Sequence, residues 1–280
     1  MKPLPISRLR YERPGIGEHK GDNGRVLVIG GSRDFVGAVY LAGMASLRSG
    51  ADVVIVAAPE DVAFAINAMT PDLVTVKLPG DYLTLAHYTQ LTKLAKGFDV
   101  MLFGNGMGLE PGTMELCRRL ALIPMFKVID ADALKAISLQ GITGAVLTPH
   151  LREFQELFRN TTQSVLTTTE HEAAATQSYK ELRAYLSKNV IVLKGRVDYV
   201  LSSQGLFYNK LGNPRMRVAG TGDILAGVIA GLLAQTKSLM ESVGIGLPAV
   251  CRAATQLYSE MRGGYTASDI LMRLPKAIFK

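Results

Sequence analysis

Arg25-Val26-Leu27-Val28-Ile29-Gly30 and, a few residues later, Gly37-Ala38-Val39-Tyr40-Leu41-Ala42-Gly43-Met44-Ala45-Ser46-Leu47-Arg48 decide the fold. The first run is continuously apolar and rich in β-branched residues, as a strand covered on both faces must be. The second reads as a helix built on small residues. It closes at Gly50, where a left-handed cap carries no Cβ penalty. The same alternation then repeats. Residues 52–57 read as a strand and 59–67 as a helix; 100–103, 127–130, 145–148 and 190–193 read as further strands between helical patterns. Continuous apolar strands separated by helices predict an α/β fold, with a mainly parallel central sheet flanked by helices on both faces. At 199–202 and 206–209 two short runs flank Ser203-Gln204-Gly205, which is a hairpin signal. From Ile224 to about Ala277 the chain reads as helices broken by Pro248 and by Gly263-Gly264. No internal repeat or long linker interrupts the pattern. Residues 1–280 are therefore expected to form one domain, with 1–24 an irregular leader.

Composition narrows the function. With 48% hydrophobic residues over 280 positions the chain can bury a sizeable core, and wholesale disorder is excluded. Cys117 and Cys251 are too few for a disulfide framework or a four-cysteine metal site, which suits a reduced, cytoplasmic protein. The N-terminus lacks the apolar core of a secretory signal. The longest apolar run, 224–234, is shorter than the roughly 20 residues a bilayer requires, so no membrane association is expected. Lys and Arg outnumber Asp and Glu by 31 to 24, a formal charge of +7. The basic residues near the start (Arg8, Arg10, Arg13, Lys20, Arg25) and Arg118-Arg119 form no block and no basic–aromatic alternation. A nucleic-acid partner is therefore not expected, and an anionic small molecule fits the surplus.

Ligands of doubly wound sheets bind outside the carboxyl ends of the strands, so the residues following each strand carry the candidates. Val218-Ala219-Gly220-Thr221-Gly222-Asp223 runs straight into a helix that is apolar nearly all round. The glycines allow a tight turn that aims Gly220, Thr221 and Gly222 N–H groups at one point, backed by the helix dipole. That is an anion site suited to a phosphoryl oxygen. Asp223 beside it could take a proton from a hydroxyl attacking phosphorus, or could simply cap its helix. Lys194-Gly195-Arg196-Val197-Asp198 follows a strand; Lys194 either meets a phosphate or is a solvated lysine in a hairpin turn. Thr148-Pro149-His150-Leu151-Arg152-Glu153 follows another, placing His150 where a helix starts, with Glu153 near a metal-phosphate water or merely favouring the first turn. His19, His87 and His171 read as a leader residue and two helix-surface residues. Gly104-Asn105-Gly106-Met107-Gly108 suggests a flat ligand passing close to the backbone, and Gly30-Gly31-Ser32 with Gly37-Ala38 brackets a loop able to admit a substrate. Asp130 and Asp132, two residues apart, cannot both face one ligand well, which leaves Asp130 acting through another group or on a metal-bound water. Neither a dinucleotide fingerprint nor a phosphate loop ending in Lys-Ser/Thr is present, and no His/Cys cluster supports zinc.

Taken in order, His19-Lys20-Gly21-Asp22-Asn23-Gly24, Val26 to Ser32, Gly37-Ala38, Gly104 to Gly108, Asp130 to Leu134, Thr148-Pro149-His150, Lys194-Gly195 and Ala219 to Leu225 resemble the ADP/ATP-dependent NAD(P)H-hydrate dehydratases. That family is a branch of the ribokinase-like superfamily. The resemblance implies a repair enzyme that restores hydrated NADH or NADPH by phosphorylating the hydrate hydroxyl and eliminating phosphate. Asp223 would be the base, and Gly220, Thr221 and Gly222 would form the oxyanion and phosphate site. Ala38, Gly106, His150 and Asp223 would bind the hydrate; Lys194, Gly195, Arg196, Val197, Asp198 and Gly222 would bind ADP or ATP. Mg²⁺ on the nucleotide phosphates is implied, held through water near Glu153 or Asp130. The family also implies a homotetramer; many of its members carry a fused N-terminal epimerase domain, and the short stretch before the first strand leads to the expectation of a stand-alone dehydratase that pairs functionally with a separate NAD(P)H-hydrate epimerase. The sequence departs from the family pattern at Asn105, where proline commonly stands, at Leu151-Arg152, where glycine is usual after the histidine, and at Asn213-Pro214-Arg215-Met216-Arg217. A kinase of the same superfamily acting on a thiazole or pyrimidine alcohol would use the same Asp223. A nucleotide-binding sensor without turnover is the remaining alternative.

Overall fold

Apolar residues fill both faces of the central strands, and this forces a helical layer onto each side of the sheet. The computed structural model describes residues 1–6, 19 and 21–279; Arg8, Arg10, Arg13 and Lys20 lie outside the described residues. Among the described residues ten strands form one sheet: β1 (Lys2–Pro3), β2 (Arg25–Ile29), β3 (Val53–Pro59), β4 (Val74–Leu78), β5 (Val100–Phe103), β6 (Phe126–Ile129), β7 (Ala145–Leu147), β8 (Asn189–Leu193), β9 (Asp198–Ser202) and β10 (Gly205–Asn209). The helices are α1 (Val36–Arg48), α2 (Glu60–Met69), α3 (Tyr88–Ala95), α4 (Pro111–Ala121), α5 (Asp132–Ala136), α6 (Leu151–Thr162), α7 (His171–Leu186), α8 (Thr221–Thr236), α9 (Leu239–Met261) and α10 (Ala267–Ile278). The sheet order is β1-β10-β9-β8-β7-β6-β5-β2-β3-β4. The seven strands from β8 to β4 run parallel. β9 and β10 form an antiparallel hairpin against β8, and β1 lies parallel to β10.

The alternation of side chains sorts the core into two halves. Val26 and Val28 of β2 pack with α1, α2, α8, α9 and α10, whereas Leu27 and Ile29 pack with α3 to α7. The chain moves outward from β2 through β3 to β4, then returns to the other side of β2 as β5. The order therefore reverses between β2 and β5, and the crevice outside their carboxyl ends is where such sheets bind ligands. The loops leaving these two strands are tied together there by the Gly31 N–H, which donates to Asn105 O at 2.9 Å.

α8 is buried on nearly all sides, as its unbroken apolar sequence requires. It lies backbone to backbone on α1: a Cβ on Gly227 would collide with Ala42 O, and Ser46 Oγ donates to Gly227 O at 3.0 Å. This close packing fixes where the N-terminus of α8 points. The turn at Gly21–Asn23 is pinned by Asp52, whose Oδ2 accepts the Gly21 and Asn23 N–H groups at 2.9 and 3.0 Å. Gly24 abuts Ala234 near the far end of α8, ~16 Å along the helix from residue 223 at 1.5 Å per residue. That part of the family motif therefore anchors the entry to β2.

Three expectations change. Lys2–Pro3, assigned to an irregular leader, adds a short strand to the sheet edge. β4 is a further strand that the sequence pattern did not show. Pro248 does not break the tail: it lies inside α9, which is continuous from Leu239 to Met261. Its ring forfeits the bond to the carbonyl of Gly244, and burial on the α8 surface, where Gly246 meets Val228, Ile229 and Leu232, carries the helix through. The break falls instead at Lys237-Ser238, where Lys237 takes φ +53°. Gly263-Gly264 do separate α9 from α10. Among the described residues no helix is long and apolar enough to cross a membrane.

Candidate active site

Asp223 sits in the first turn of α8, and the fold brings it to the carboxyl ends of β5, β6 and β8. Asn105, in the loop after β5, donates from Nδ2 to Asp223 Oδ1 at 2.7 Å and to Asp130 Oδ2 at 3.0 Å. The other oxygen of Asp130 accepts from Thr148 Oγ1 and from Lys194 Nζ, both at 2.8 Å. One buried network thus joins Asn105, Asp130, Thr148 and Lys194, which follow four successive strands, to Asp223 at the start of α8. Asp130 is delivered by a tight backbone turn: Ala131 takes φ +51°, a strained conformation for a residue with a Cβ, and Gly104 lies so close that a Cβ there would collide with Asp130 O.

Lys194 is mostly buried, not the solvated lysine of a hairpin turn. Its N–H donates to Pro149 O at 2.8 Å, and its ammonium lies 3.2 Å from the point where a Gly222 Cβ would stand. The cation therefore borders the Gly220–Gly222 turn. Burial works against its charge, but Asp130, Glu153 and Asp223 outweigh that and hold its pKa above the ordinary lysine value. Burial pushes the Asp223 carboxyl up to about 7, and the Asp130 charge adds to this; the Asn105 bond and Lys194 act the other way. A carboxyl poised near neutrality, beside a cation and a helix N-terminus, is equipped to take a proton from a hydroxyl while the developing charge on a neighbouring phosphoryl group is stabilised.

The anion turn itself is asymmetric. The Thr221 N–H reaches back to Val218 O at 3.3 Å, while the Gly220 and Gly222 N–H groups have no acceptor among the described residues. Gly220 is required by its backbone: its φ is +92°, and a Cβ there would stand 2.5 Å from Leu41 Cδ1. Gly222 is different, since only the movable end of Lys194 stands in the way. Gly222→Ala is expected to unfold within about 1 kcal/mol of wild type, since only the flexible end of Lys194 must shift. Gly220→Ala is expected to lose about 1–3 kcal/mol of stability by thermal unfolding.

His150 caps α6. Its Nδ1 accepts the Glu153 N–H at 3.3 Å, Glu153 Oε2 accepts the His150 N–H at 2.8 Å, and the imidazole edge stays half exposed. Burial and the Lys194 and Lys135 charges lower the His150 pKa, favouring the neutral ring. Burial pushes Glu153 up to about 7. Asp132 turns away from Asp130, accepting the Gly108 N–H at 3.0 Å and pairing with Lys135. Ala38 and Gly106 meet at the crevice between β2 and β5: a Gly106 Cβ would stand 3.2 Å from Ala38 Cβ, with Phe35 as close. Arg196 and Val197 lie in the turn between β8 and β9. Asp198 is committed within the protein, since its oxygens accept from Gly195 N and Asn209 Nδ2, each at 3.0 Å. His87 ends a short helical turn and His171 opens α7, both partly exposed as expected, but both rings are engaged. The ring of His87 is spent on Thr84 N and Pro79 O, and His171 covers Gly195. Asn105 and Thr148 are the members that sequence reasoning missed. Asn105 stood inside a stretch valued only for its glycines.

A parallel sheet with a hairpin at one side, a glycine turn opening a buried helix and an aspartate in its first turn define a ribokinase-like protein. The family model described as NAD(P)H-hydrate dehydratase matches residues 26–276, and the chain belongs to that family. The chain is similar to a bifunctional NAD(P)H-hydrate repair enzyme of Pyrobaculum aerophilum, 38% identical over 92% of this chain and 51% of the relative. It is also similar to an ADP-dependent (S)-NAD(P)H-hydrate dehydratase of Cenarchaeum symbiosum, 32% identical over 92% of this chain and 90% of the relative. Among solved structures, a ribokinase-like superfamily protein of Enterococcus faecalis superposes with a TM-score of 0.78 at 26% identity, covering 95% of this chain and 90% of that one. The chain spans about half the length of the first of these relatives.

Proposed function

We propose that the chain dehydrates hydrated NADH and NADPH at the expense of a nucleotide, with ADP as the phosphoryl donor and ATP as the alternative. The observation that carries this reading is the poised Asp223, held against Lys194 and the Gly220–Gly222 turn. Asp223 takes the proton of the hydrate hydroxyl as its oxygen attacks the terminal phosphorus, and the nucleotide leaves one phosphate shorter. Phosphate then departs with the C–O bond, the neighbouring ring carbon loses its proton, and the double bond of the dihydronicotinamide returns. Phosphorylation is needed because hydroxide is a poor leaving group. The Gly220 and Gly222 N–H groups meet the transferred phosphoryl, while the Thr221 N–H, expected to join them, stays on Val218 O, and Lys194 neutralises the group. Ala38, Gly106 and His150 contact the hydrate; Gly195, Arg196, Val197 and Gly222 line the nucleotide, and Asp198 shapes that turn through the Gly195 N–H.

No group of three or more His, Cys, Asp or Glu able to hold a metal occurs among the described residues. Both oxygens of Asp130 are taken by Asn105, Thr148 and Lys194, and Glu153 Oε2 by the His150 N–H, so these carboxylates would meet a Mg²⁺ arriving on the nucleotide phosphates only through its own water, which this ion usually keeps. Its chemistry there would be to offset phosphate charge. The bifunctional name of the relative supports functional pairing with a second activity, which the family resemblance assigns to an epimerase. Two free, buried thiols accord with a cytoplasmic setting, and a homotetramer remains the expected assembly. Residues 1–280 are read as one domain.

Incubation with hydrated NADH and either ADP or ATP should restore the reduced-nicotinamide absorbance. Accumulation of phosphorylated thiazole or pyrimidine alcohols without that recovery refutes the reading. Because the base form of Asp223 is the active one, kcat should rise with pH through about 7 and level off above it. A rate independent of pH across that range excludes Asp223 as the base.

A further inference from the structure

Asn105 is fully buried, and its side-chain nitrogen serves two carboxylates from different elements. The two N–H bonds of a primary amide diverge, so one Nδ2 can reach two acceptors without distortion. The amide has a single sensible orientation, because its flip would set Oδ1 against both Asp130 and Asp223. Oδ1 itself is buried with no hydrogen-bond partner. An orphaned acceptor is costly, and an apolar residue would avoid that cost. The main chain around it is also locked: Gly104 and Gly106 take φ +117° and +65°, and Asn105 O receives the Gly31 N–H. The side chain is thus held where it leaves one polar atom unsatisfied in order to bridge two carboxylates.

We propose that Asn105 is a positioning residue: by bridging Asp130 and Asp223 it fixes the Asp223 carboxylate through Oδ1 and assigns proton transfer to Oδ2. This rests on the reading of Asp223 as the base. The charged groups that act on Asp223 are Asp130, from the turn between β6 and α5, and Lys194, from the end of β8. Glu153 and His150 of the α6 start act on Lys194 and are felt indirectly. Of the side chains that act on Asp223, Asn105 alone restrains the carboxylate and favours its ionised form without itself carrying charge; the residue's own N–H adds to that preference from the main chain.

Asn105→Ala should lower kcat at neutral pH about tenfold or more with the nucleotide KM unchanged, as misplacement of a reacting group does. The acid limb of its kcat profile should move to higher pH. In protein labelled with ¹³C at the aspartate carboxyls, the Asp223 resonance is identified by its loss in Asp223→Asn. Its titration midpoint should lie higher in Asn105→Ala than in wild type. Asn105→Asp, nearly isosteric and unable to donate once ionised, should shift it the same way and serves if the alanine variant melts early. An unchanged midpoint in the folded variants overturns the proposal. If wild type shows no repair activity, the functional reading fails, and the resonance still decides the role of Asn105.

Discussion

Asp223→Asn is expected to reduce kcat by about 10²- to 10⁴-fold, the range lost when a positioned base is removed. Nucleotide affinity should stay close to wild type, because Lys194 and the Gly220 and Gly222 N–H groups remain. The amide that replaces the carboxylate can still accept from Asn105 Nδ2, so the local geometry is retained. The same variant should be more stable than wild type at alkaline pH. Asp223 titrates near 7 in the folded chain against an ordinary value of 3.8. Between those values the folded chain holds a proton that the unfolded chain has released. Stability therefore declines as pH rises through that interval, and the whole decline is present above about 7. Asparagine removes both the buried charge and its repulsion from Asp130, so the variant's Tm should exceed that of wild type by a few degrees in alkaline buffer and converge with it in acid. Wild-type turnover by Asp223→Asn would exclude the aspartate as base. A lower Tm at alkaline pH would show that its burial is not what raises its pKa.

β2, β5 and β8 were legible because each is buried on both faces, so every position after Arg25 of β2 and Asn189 of β8 is apolar and the run stands out without any need for periodicity. β4 was not. Val74-Thr75-Val76-Lys77-Leu78 is an edge strand, exposed or half-exposed over four positions, so its signal is a short apolar–polar alternation and not the continuous apolar run that marks the central strands. Lys2–Pro3 carries no signal at all, since its strand character comes entirely from β10 beside it. Pro248 misled in the opposite sense: a local rule for breaking helices was overridden by burial of the segment against α8. In the site, the carboxyl ends of strands pointed to Lys194, His150 and Gly106, which follow from topology, and the glycine turn opening a buried helix pointed to Asp223. What joins them did not follow. Asn105, Asp130 and Thr148 meet only because three loops converge, and no spacing along the chain encodes which side chains will share a proton donor. The role of Asp198 was obscured for the same reason: its partner, Asn209, is the residue that the hairpin folds back against it.

Lys194→Met should destabilise the fold by about 3–5 kcal/mol, the cost of leaving a buried carboxylate without its counter-ion. Asp130 is almost wholly buried, its side chain only 2% exposed, and Lys194 Nζ stands 2.8 Å from it. Without the ammonium, Asp130 keeps only the uncharged donors Thr148 and Asn105, with Asp223 as a repelling neighbour. Asp130→Asn alone should cost less, because Lys194 still faces Glu153 and Asp223. In the double variant, Lys194→Met with Asp130→Asn, most of the lost stability should return, since neither charge is then stranded. Denaturant unfolding of the four proteins measures this directly, and the coupling should change little with added salt because the pair is shielded from solvent. If the proposed role of Lys194 holds, activity should not return with stability, because the double variant lacks the cation beside Gly222. Recovery of stability with activity still absent separates the observed duty of Lys194, holding Asp130 in the fold, from its proposed one toward the nucleotide. If the double variant is no more stable than Lys194→Met, then the ammonium stabilises the site by something other than its charge on Asp130.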